Sequence, residues 1–577
     1  MGAGQQKKLK FFILSEVTVV RLIWTSMTGS SPVILFCDPL FPPMSRVLEC
    51  FRKILVSLGL SKSLADIFDD YPWPPNFPLE KNYTHGLLEP ILNRLQDSLL
   101  PAQKCERLEK YSYEMRKAIT DYSEKIKDLL LFINWIEATR DAGSWTVYGV
   151  PKILDNIYFL SHGKNAPQSC RSTIKACRTI NFIGLLLLLS AGFIWLFFRI
   201  RLFPPKPKKY RLIADRVGHA DAEFYKSIVD DPSELLILDR NPQLARALRH
   251  TNGPFFSCLL GDCKIGITRF MLLLLATVTN LLWIWRVVGH HDPQLFWRFA
   301  ASAIKRQRFA AFFCDFTTKF FFGRDDYSID HIIRNQELRA IGGKSLGINH
   351  GLPLNTYASQ WREVDFDIYY AYGRHLYEHF YKLTWASNVH VKPVGTFRMT
   401  PKHRSRLEVN RPRDIGFFPI VLKTFDQTME EAFKVANHFS DRKFYIKMKS
   451  GRNRQDIERF REKMSDAPLN VIAYTHPDPY ELLLNISYGI CFSTLVAEAL
   501  QFKVKTFNLD MDPTLEHQYY RNFYNLTVPD GETIIRRIEA IELGEEAYDF
   551  ELYKDLISID GPDIFNVVRS DIGLGPQ

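Results

Sequence analysis

The sequence predicts an α/β fold with two Rossmann-like lobes, an added N-terminal region, and one or two apolar helices that associate with a membrane. The first observation is length, because 577 residues exceed what a single hydrophobic core organises. The second is the alternation of five strand-like and four helix-like segments over residues 411–510, which is typical of a parallel sheet with right-handed crossovers. The third is a pair of long apolar segments near residues 180 and 270.

Five regions are predicted along the chain. They are an N-terminal region of α/β or helical structure (1–179), an apolar membrane-associated helix (180–199), a first lobe with a second apolar segment at 270–285 (200–410), a second lobe (411–535) and a C-terminal helical tail (536–577). In the N-terminal region, Val33–Cys37 is a predicted strand and a charged helical pattern runs from Leu87 to about Ala142.

Short strands that end in glycine or in polar loops define the first lobe. The predicted strands are Leu235–Leu238, Lys344–Ile348, Asp367–Tyr372 and Val389–Val394, and the predicted helices are Pro242–His250 and Tyr327–Ile341. We expect Asp325 and Asp326 to cap the second of these helices, since both precede its first turn.

The second lobe has the most regular pattern. Its predicted strands are Ile415–Val421, Lys443–Met448, Asn470–Tyr474, Gly489–Phe492 and Val504–Leu509, with helices at Thr428–Phe439, Gln455–Met464, Pro479–Ile486 and Thr494–Gln501. A doubly wound sheet of this kind binds ligands at the carboxyl ends of its strands. No Gly-x-Gly-x-x-Gly sequence accompanies the sheet, which disfavours a dinucleotide oxidoreductase.

The apolar segments are Ile180–Phe198 and Phe270–Trp285, and the alternative for each is a buried core helix. Basic residues flank both segments on both sides, so a monotopic or re-entrant arrangement fits the flanks as well as a spanning one. The stronger basic cluster follows Phe198, which favours lobes that face the cytoplasm. The stretch Trp297–Phe313 mixes basic and aromatic residues, as either an interfacial helix or a solvated helix face would.

Composition narrows the class of partner. The net charge of +10 predicts anionic partners, and we rank lipid and sugar-nucleotide phosphates before nucleic acid because no nucleic-acid-binding module is present. The nine cysteines are scattered without a CxxC pair, which is typical of reduced thiols in a cytoplasmic compartment. No cofactor is expected, and metal-independent chemistry is the prediction.

Residues 490–500 hold the most informative string of the second lobe. A buried strand leads to Ser493 and Thr494 at a predicted helix start, with Ser493 as the expected N-cap, and Glu498 follows about one turn later. Free N–H groups at a helix start form an anion site suited to a diphosphate, and Glu498 would accept hydrogen bonds from ribose hydroxyls. The alternative is ordinary helix capping with a solvent-facing glutamate.

His350 follows a predicted strand and is flanked by Gly351, so it can take a proton from an acceptor hydroxyl as a general base. A structural histidine is the alternative. Lys447 would neutralise a leaving diphosphate, or simply belong to a solvated basic loop. His476 follows the next strand, where a nucleobase would contact the loop, although turn chemistry explains it equally well. Arg398 is a candidate phosphate contact near the cleft between the lobes.

Two strings resemble known enzymes. Residues 490–500 resemble the donor-site motif of GT-B glycosyltransferases, most of all those of capsule and surface-polysaccharide synthesis, in which a Ser/Thr turn leads to a helix bearing Glu-Ala-Leu. The turn at residues 350–354, His-Gly-Leu-Pro-Leu, resembles the His-Gly-Thr-Pro-Leu turn of teichoic-acid polyol-phosphate polymerases, with leucine at the place of threonine. The resemblance implies a GT-B fold in which Ser493 and Thr494 contact phosphates and Glu498 contacts the ribose.

The predicted function is therefore transfer of a sugar from a nucleotide-sugar to a saccharide or lipid-linked acceptor at a membrane, in surface polysaccharide or glycan synthesis. One alternative is transfer of a polyol phosphate from a CDP-linked donor, for which His476 is the only counterpart of a second catalytic histidine. Another is a non-catalytic membrane scaffold with a degenerate transferase lobe, which would bind no nucleotide. If His350 is dispensable, Asp365 or Glu363 is the next candidate base.

Overall fold

The computed structural model supports a three-part architecture of N-terminal region, first lobe and second lobe. It describes the chain except residues 1–8, 16–17, 28–31, 38–44, 59, 63–87, 89–90, 101–105, 142–143, 172–176, 204–205, 217–218, 240–255, 260–262, 292, 354–358, 408–410, 421–424, 449–453, 511–518 and 576–577. The predicted helix Pro242–His250 lies outside the described residues.

The N-terminal region is α/β, with a parallel four-stranded sheet in the order β2-β1-β3-β4. One buried face of the long helix α3 contributes Ile119, Tyr122 and Ile133 to a core shared with Phe11 and Val147 of the sheet. The elements are β1 (Leu9–Leu14), α1 (Val19–Met27), β2 (Val33–Cys37), α2 (Ser45–Ser57), α3 (Glu106–Thr139), β3 (Trp145–Tyr148), α4 (Lys152–His162) and β4 (Cys170–Arg171).

The first lobe is built on a parallel seven-stranded sheet in the order β13-β12-β11-β10-β6-β7-β8. Strands β7 and β8 follow β6 on one side, and strands β10 to β13 extend the sheet on the other side of β6. The topological switch point therefore lies between β6 and β10. The elements are α5 (Cys177–Phe197), β5 (Ile200–Arg201), β6 (Lys208–Arg216), α6 (His219–Ser227), β7 (Leu235–Asp239), β8 (Phe256–Leu259), β9 (Ile265–Gly266), α7 (Ile267–Val288), α8 (Pro293–Asp315), β10 (Phe316–Gly323), α9 (Ile329–Ala340), β11 (Lys344–Ile348), β12 (Ile368–Ala371), β13 (His390–Pro393) and α10 (Pro401–Arg404).

The second lobe is built on a parallel six-stranded sheet in the order β16-β15-β14-β17-β18-β19. All five predicted strands and all four predicted helices are present within a few residues of their expected bounds, and the predicted two-lobed α/β fold class is confirmed. The elements are β14 (Ile415–Phe417), α11 (Phe425–His438), β15 (Phe444–Ile446), α12 (Arg454–Ser465), β16 (Val471–Ala473), α13 (Pro479–Leu483), β17 (Tyr488–Cys491), α14 (Leu495–Gln501), β18 (Lys505–Leu509), β19 (Thr527–Val528), α15 (Gly531–Leu543) and α16 (Ile564–Asp571).

The last helix, α16, packs on the first lobe. Its Asp571 carboxylate accepts from Lys392 Nζ at 2.5 Å and from the Tyr370 hydroxyl at 2.7 Å. Ile564 and Val568 of the same helix belong to the core of the first lobe. The chain therefore crosses from one lobe to the other twice.

Two helices, α5 and α7, are long and apolar enough to cross a membrane. Only 33% of the apolar stretch of α5 and 22% of that of α7 are buried. Neither helix is therefore a buried core helix, which was the alternative prediction for both segments. Helix α8 is different, since Trp297, Phe309, Phe312 and Phe313 are buried. The prediction of an interfacial or solvated helix at Trp297–Phe313 is therefore wrong, because its aromatic residues pack inside the protein.

Candidate active site between the lobes

Ligands bind at the switch point of sheets of this kind, which lies between β6 and β10 in the first lobe and between β14 and β17 in the second. In the first lobe, β10 ends at Gly323 and is followed by Arg324, Asp325 and Asp326. In the second lobe, β17 ends at Cys491 and leads into Ser493 and Thr494. At the switch point, acidic residues thus follow the strand of the first sheet, and hydroxyl-bearing residues follow the strand of the second.

The turns that follow β11 and β17 touch each other. The Leu352 N–H donates to the Thr494 hydroxyl oxygen across 3.0 Å. A Cβ on Gly351 would lie 2.8 Å from the same oxygen, so the close approach requires glycine there. The two strings singled out in the sequence, around His350 and around Ser493, are therefore neighbours across the lobe boundary.

Ser493 adopts a left-handed backbone conformation, with φ of 55°. Its carbonyl oxygen accepts from the Tyr520 hydroxyl at 2.6 Å, which holds the turn in place. The expectation that Ser493 is the N-cap is wrong, because α14 begins at Leu495 and Thr494 occupies the cap position. Thr494 makes no side-chain cap bond, since its hydroxyl serves the Leu352 contact instead.

Glu498 is buried at the junction of the lobes, and this excludes the alternative of a solvent-facing glutamate. Its Oε1 accepts from the Tyr372 hydroxyl at 3.1 Å and the Thr396 hydroxyl at 3.0 Å, while Oε2 accepts from the Tyr480 hydroxyl at 2.8 Å. Burial raises the pKa of the Glu498 carboxyl, against the opposing effect of these bonds and of Arg398. A carboxylate oxygen accepts about two hydrogen bonds, and Oε2 accepts one from the described residues.

Arg398 stands beside this carboxylate. It lowers the pKa of Glu498 through its charge, and its guanidinium lies 4.5 Å from the Phe397 ring centroid. It forms no ion pair with the described residues. Nearby, Gln501 Oε1 accepts from the Thr396 N–H at 2.7 Å, which ties α14 to the first lobe. Because Arg398 is half-buried and forms no direct salt bridge with the described residues, its N–H groups can donate to a phosphate.

Asp326 is the carboxylate nearest to the backbone of His350. Its Oδ2 accepts from the His350 N–H at 3.1 Å, from Trp361 Nε1 at 3.1 Å and from the Tyr369 hydroxyl at 2.6 Å. Oδ1 is buried and has no partner among the described residues. Burial raises the pKa of Asp326 to about 7, so this group changes charge near neutral pH beneath an exposed histidine.

The expectation that Asp325 and Asp326 cap a helix is wrong. Helix α9 begins at Ile329, and its cap is Ser328, which accepts from the Asp330 N–H. Both aspartates are fully buried, and Asp325 pairs with the Arg334 guanidinium at 2.8 Å. The sequence contained one usable signal, a Gly-Arg-Asp-Asp run after a phenylalanine-rich segment, which marks a strand exit once β10 is recognised.

Lys447 and His476 follow β15 and β16, at the same edge of the sheet as Ser493. They lie two and three strands away from β17, which at the usual strand spacing is about 10 Å and about 14 Å. Burial lowers the pKa of Lys447, and Asp478 opposes that effect. His476 is exposed, and its Nδ1 lies 3.2 Å from the Asp478 backbone nitrogen. Their predicted roles stay predictions.

Asp365 and Glu363, the next candidate bases after His350, both accept hydrogen bonds from other side chains. Asp365 accepts from Arg339 through both carboxylate oxygens, at 2.7 and 2.9 Å. Glu363 accepts from Gln96 Nε2 at 2.7 Å, in the contact between the N-terminal region and the first lobe. Among the described residues, Asp326 is therefore a better second candidate than either.

Within the described chain, no three His, Cys, Asp or Glu side chains form a group that could hold a metal ion. One Asp-x-Asp string, Asp510–Asp512, does follow a strand, β18. Asp510 pairs with Arg521 at 2.5 Å, and Asp512 lies outside the described residues. Metal-independent chemistry stays a prediction.

No protein family model matches this sequence, and no curated protein matches it significantly. In fold, the chain is similar to MurG of Acinetobacter baumannii, at a TM-score of 0.33 and 14% identity, over 63% of this chain and 99% of that one. It is also similar to the wall teichoic acid polymerase TagF, at 0.36 and 10%, over 69% and 98%. The calicheamicin glycosyltransferase CalG4 matches at 0.36 and 10%, over 64% and 98%. These similarities concern the fold alone.

Proposed function

We propose that this protein is a GT-B-type glycosyltransferase, which moves a sugar from a nucleotide-sugar to a saccharide or lipid-linked acceptor at the cytoplasmic face of a membrane, in surface polysaccharide or glycan synthesis. The observation that carries the proposal is the hydrogen bond from the Leu352 N–H to Thr494. It joins the turn that bears His350 to the turn that bears Ser493, so one ligand between the lobes would meet both.

The proposed reaction assigns one task to each turn. The acceptor hydroxyl oxygen attacks the anomeric carbon, the bond from that carbon to the nucleotide phosphate oxygen breaks, and the hydroxyl proton passes to the His350 imidazole. The leaving diphosphate takes the bonding electrons. Ser493, Thr494 and the Arg398 guanidinium would stabilise its charge, with Lys447 in support.

Glu498 would hold the ribose of the donor, and His476 would lie beside the nucleobase. What supports the first role is the position of Glu498 at the lobe boundary and its Oε2, which accepts one hydrogen bond from the described residues. A ribose hydroxyl would bind there, or would replace one of the three hydroxyls that now surround the carboxylate.

Nucleotide binding tests the proposal. We expect one of UDP, GDP, dTDP, CMP or a CDP-linked polyol to raise the melting temperature, because a ligand at 100 times its Kd adds about 2.7 kcal/mol of stability. Arg398→Gln should weaken binding of the diphosphate by about 10- to 150-fold, the worth of a charged hydrogen bond, and leave the free nucleoside unaffected. Arg536→Gln, an exposed change on α15, is the matched control.

The outcomes separate the rival functions. Binding of a CDP-linked polyol alone would favour polyol-phosphate transfer, and binding of no nucleotide at all would favour a scaffold. Equal affinity in the Arg398 and Arg536 variants would remove Arg398 from the site.

A further inference from the structure

The pair of helices α5 and α7 presents an apolar face to the outside of the molecule. Leu187, Ile194 and Phe197 of α5 are 50%, 54% and 56% exposed, and Met271 and Leu275 of α7 are 56% and 62% exposed. The opposite side of the pair is packed, because α8 lies against both helices and a Cβ on Gly192 would lie 2.8 Å from Ile304 of α8. A continuous exposed face of this kind marks an interaction surface.

The surroundings of this face are basic. The sequence holds no Asp or Glu from residue 177 to residue 214 or from residue 263 to residue 291. Arg201 and Lys206 follow α5, and Lys264 and Arg269 lie at the start of α7, all of them exposed. An exposed apolar face with cations beside it fits one chemistry above others, an anionic lipid surface.

The strand order of the first lobe excludes a crossing by α7. Strand β6 precedes α7 and β10 follows it, yet the two pair directly, from Lys208 with Phe316 to Ala214 with Phe322. Paired strands lie about 4.8 Å apart, whereas the hydrocarbon core of a bilayer is about 30 Å thick. If α7 crossed a bilayer, these neighbours would lie on opposite sides of it.

Contacts of the N-terminal region exclude a crossing by α5 in the same way. This region precedes α5, and it binds the lobe that follows. The Tyr113 hydroxyl donates to the Thr384 carbonyl oxygen at 2.7 Å, and Gln96 Nε2 donates to Glu363. Glu114 forms a buried ion pair with Arg306 of α8. All three parts of the protein therefore lie on one side of any membrane.

The pair is also fastened at both ends. At one end the Asn181 amide donates to the Gly289 and His291 carbonyl oxygens, each at 2.8 Å. At the other end β5 pairs with β9, at Ile200 with Ile265. These contacts join the two antiparallel helices to each other at both ends, and α8, which lies against both, holds the pair along the protein surface.

We propose that α5 and α7 form a monotopic anchor, which lies flat in one leaflet of an anionic membrane and which neither helix crosses. The inference deepens the membrane association within the proposed function and does not depend on the sugar-transfer chemistry. It would place the cleft between the lobes at a fixed height above one membrane surface, where lipid-linked acceptors are displayed.

Vesicle co-sedimentation of the full chain tests the anchor without any sugar transfer. We expect binding to vesicles that contain phosphatidylglycerol, and weaker binding to pure phosphatidylcholine. The double variant Leu187→Glu and Leu275→Glu should bind at least about tenfold more weakly for each side chain withdrawn from the leaflet. The matched control is Leu383→Glu with Leu543→Glu, which changes leucines that are 98% and 73% exposed elsewhere on the protein.

A second variant keeps the test decisive if the first one does not fold. Arg201→Glu with Lys206→Glu should lower affinity for anionic vesicles by roughly fivefold per residue and should leave binding to neutral vesicles unchanged. Equal binding by all variants and wild type would overturn the anchor. Absence of vesicle binding by wild type would overturn it as well, while nucleotide binding would still report on the transferase proposal.

Sidedness distinguishes a flat anchor from a spanning one. New cysteines at Asp141, Glu223 and Glu462 lie before, between and after the two helices, on exposed positions. The parent protein has serine in place of six native cysteines, and its three remaining thiols are buried; the replaced residues are Cys37, Cys50, Cys105, Cys170, Cys177 and Cys314. A membrane-impermeant maleimide should label all three new cysteines from the same side of intact cell-derived membranes. Labelling of the Glu223 site from the side opposite to the other two would show that the helices cross.

Discussion

In each of the two lobes, the fourth strand of the sheet in chain order lies beside the first, and ligand chemistry is expected at that position. The first lobe has Asp326 and the His350 turn there, and the second has the Ser493–Thr494 turn. One switch point thus holds a carboxyl group whose pKa lies near neutral pH, and in the proposed function the other receives the diphosphate. The strand order that both lobes share determines where a ligand can bind, and the residues that follow the strands determine which chemistry is possible there.

The largest expected effect separates the two lobes by function. His350→Ala should reduce turnover on the order of 10²–10⁴-fold, the usual worth of a general base, while nucleotide affinity barely changes. Steady-state kinetics together with calorimetric nucleotide titration provide the measurement. His390→Ala on the edge strand β13 is the control, since that histidine is also exposed. Parallel loss of turnover and affinity would assign His350 to donor binding instead.

Asp326 should make the stability of the protein depend on pH. Its pKa is raised from its ordinary value to about 7, so the folded state binds the proton more tightly than the unfolded state. The stabilisation is complete below about pH 4 and is lost as the pH rises through about 7, up to about 4 kcal/mol in total. Asp326→Asn should therefore unfold at a higher urea concentration than wild type at pH 8, and at a similar one at pH 4.

A matched variant identifies the group responsible. Asp330→Asn changes a partly buried aspartate on the adjacent helix and keeps Asp326, so the fall in stability assigned to Asp326 should persist in it. If Asp326→Asn retains the wild-type fall in stability between pH 5 and pH 8, another group titrates in that range.

Glu498 joins the lobes, so its removal should affect both binding and stability. Glu498→Ala should weaken nucleotide binding by about 1.5–3 kcal/mol if a charged hydrogen bond to the ribose is lost. It should also lower the melting temperature, because three buried hydroxyls lose their acceptor. Gln501→Ala removes a different hydrogen bond between the lobes from the same helix, and we expect it to lower stability without a change in nucleotide affinity. Unchanged nucleotide affinity in a folded Glu498→Ala protein would exclude the ribose role.

The smallest expected effect concerns the contact between the two turns. Gly351→Ala places a methyl group 2.8 Å from the Thr494 oxygen and should reduce turnover by about tenfold through displacement of the turns. Thr494→Ala removes the clash, so the double variant should be less impaired than the two single effects predict. A coupling energy of about 1 kcal/mol or more in this cycle would show that the lobes act as one site. Additive effects would show that they do not.

The sequence predicted the second lobe well and the first lobe only in part. Strands β14 to β18 are short, and polar turns separate them, so the alternation is readable. Strand β6 begins with Lys208 and Lys209 and resembles a basic linker, while β10 continues the phenylalanine-rich end of α8 without a break. These two strands form the centre of the first sheet. Their absence from the prediction hid the switch point of that lobe.

The candidate site follows the same division. His350, Ser493 and Thr494 were recognised because each follows a readable strand, and the structure brings their turns together. Asp326 was taken for a helix cap, because its position beneath His350 depends on the pairing of β10 with β11. The hydroxyls around Glu498 come from Tyr372, Thr396 and Tyr480, which no local pattern links to it. The contacts of Tyr372 and Thr396 with Glu498 join residues more than 100 positions apart, and periodicity cannot reveal such contacts.

The pairing of β6 with β10 also determines when the first sheet can form during synthesis of the chain. About 100 residues separate the two strands. Helix α5 is made before β6, and helix α7 is made between β6 and β10. At ribosomal speeds of about 5–20 residues per second, the first sheet stays without its central partner for roughly 5–20 s. Helix α5 is made before that interval begins, whereas α8, which packs against it, is made only at the end of the interval. A chaperone or a nearby membrane surface would shield the nascent chain, and overexpression that outruns either should yield aggregates.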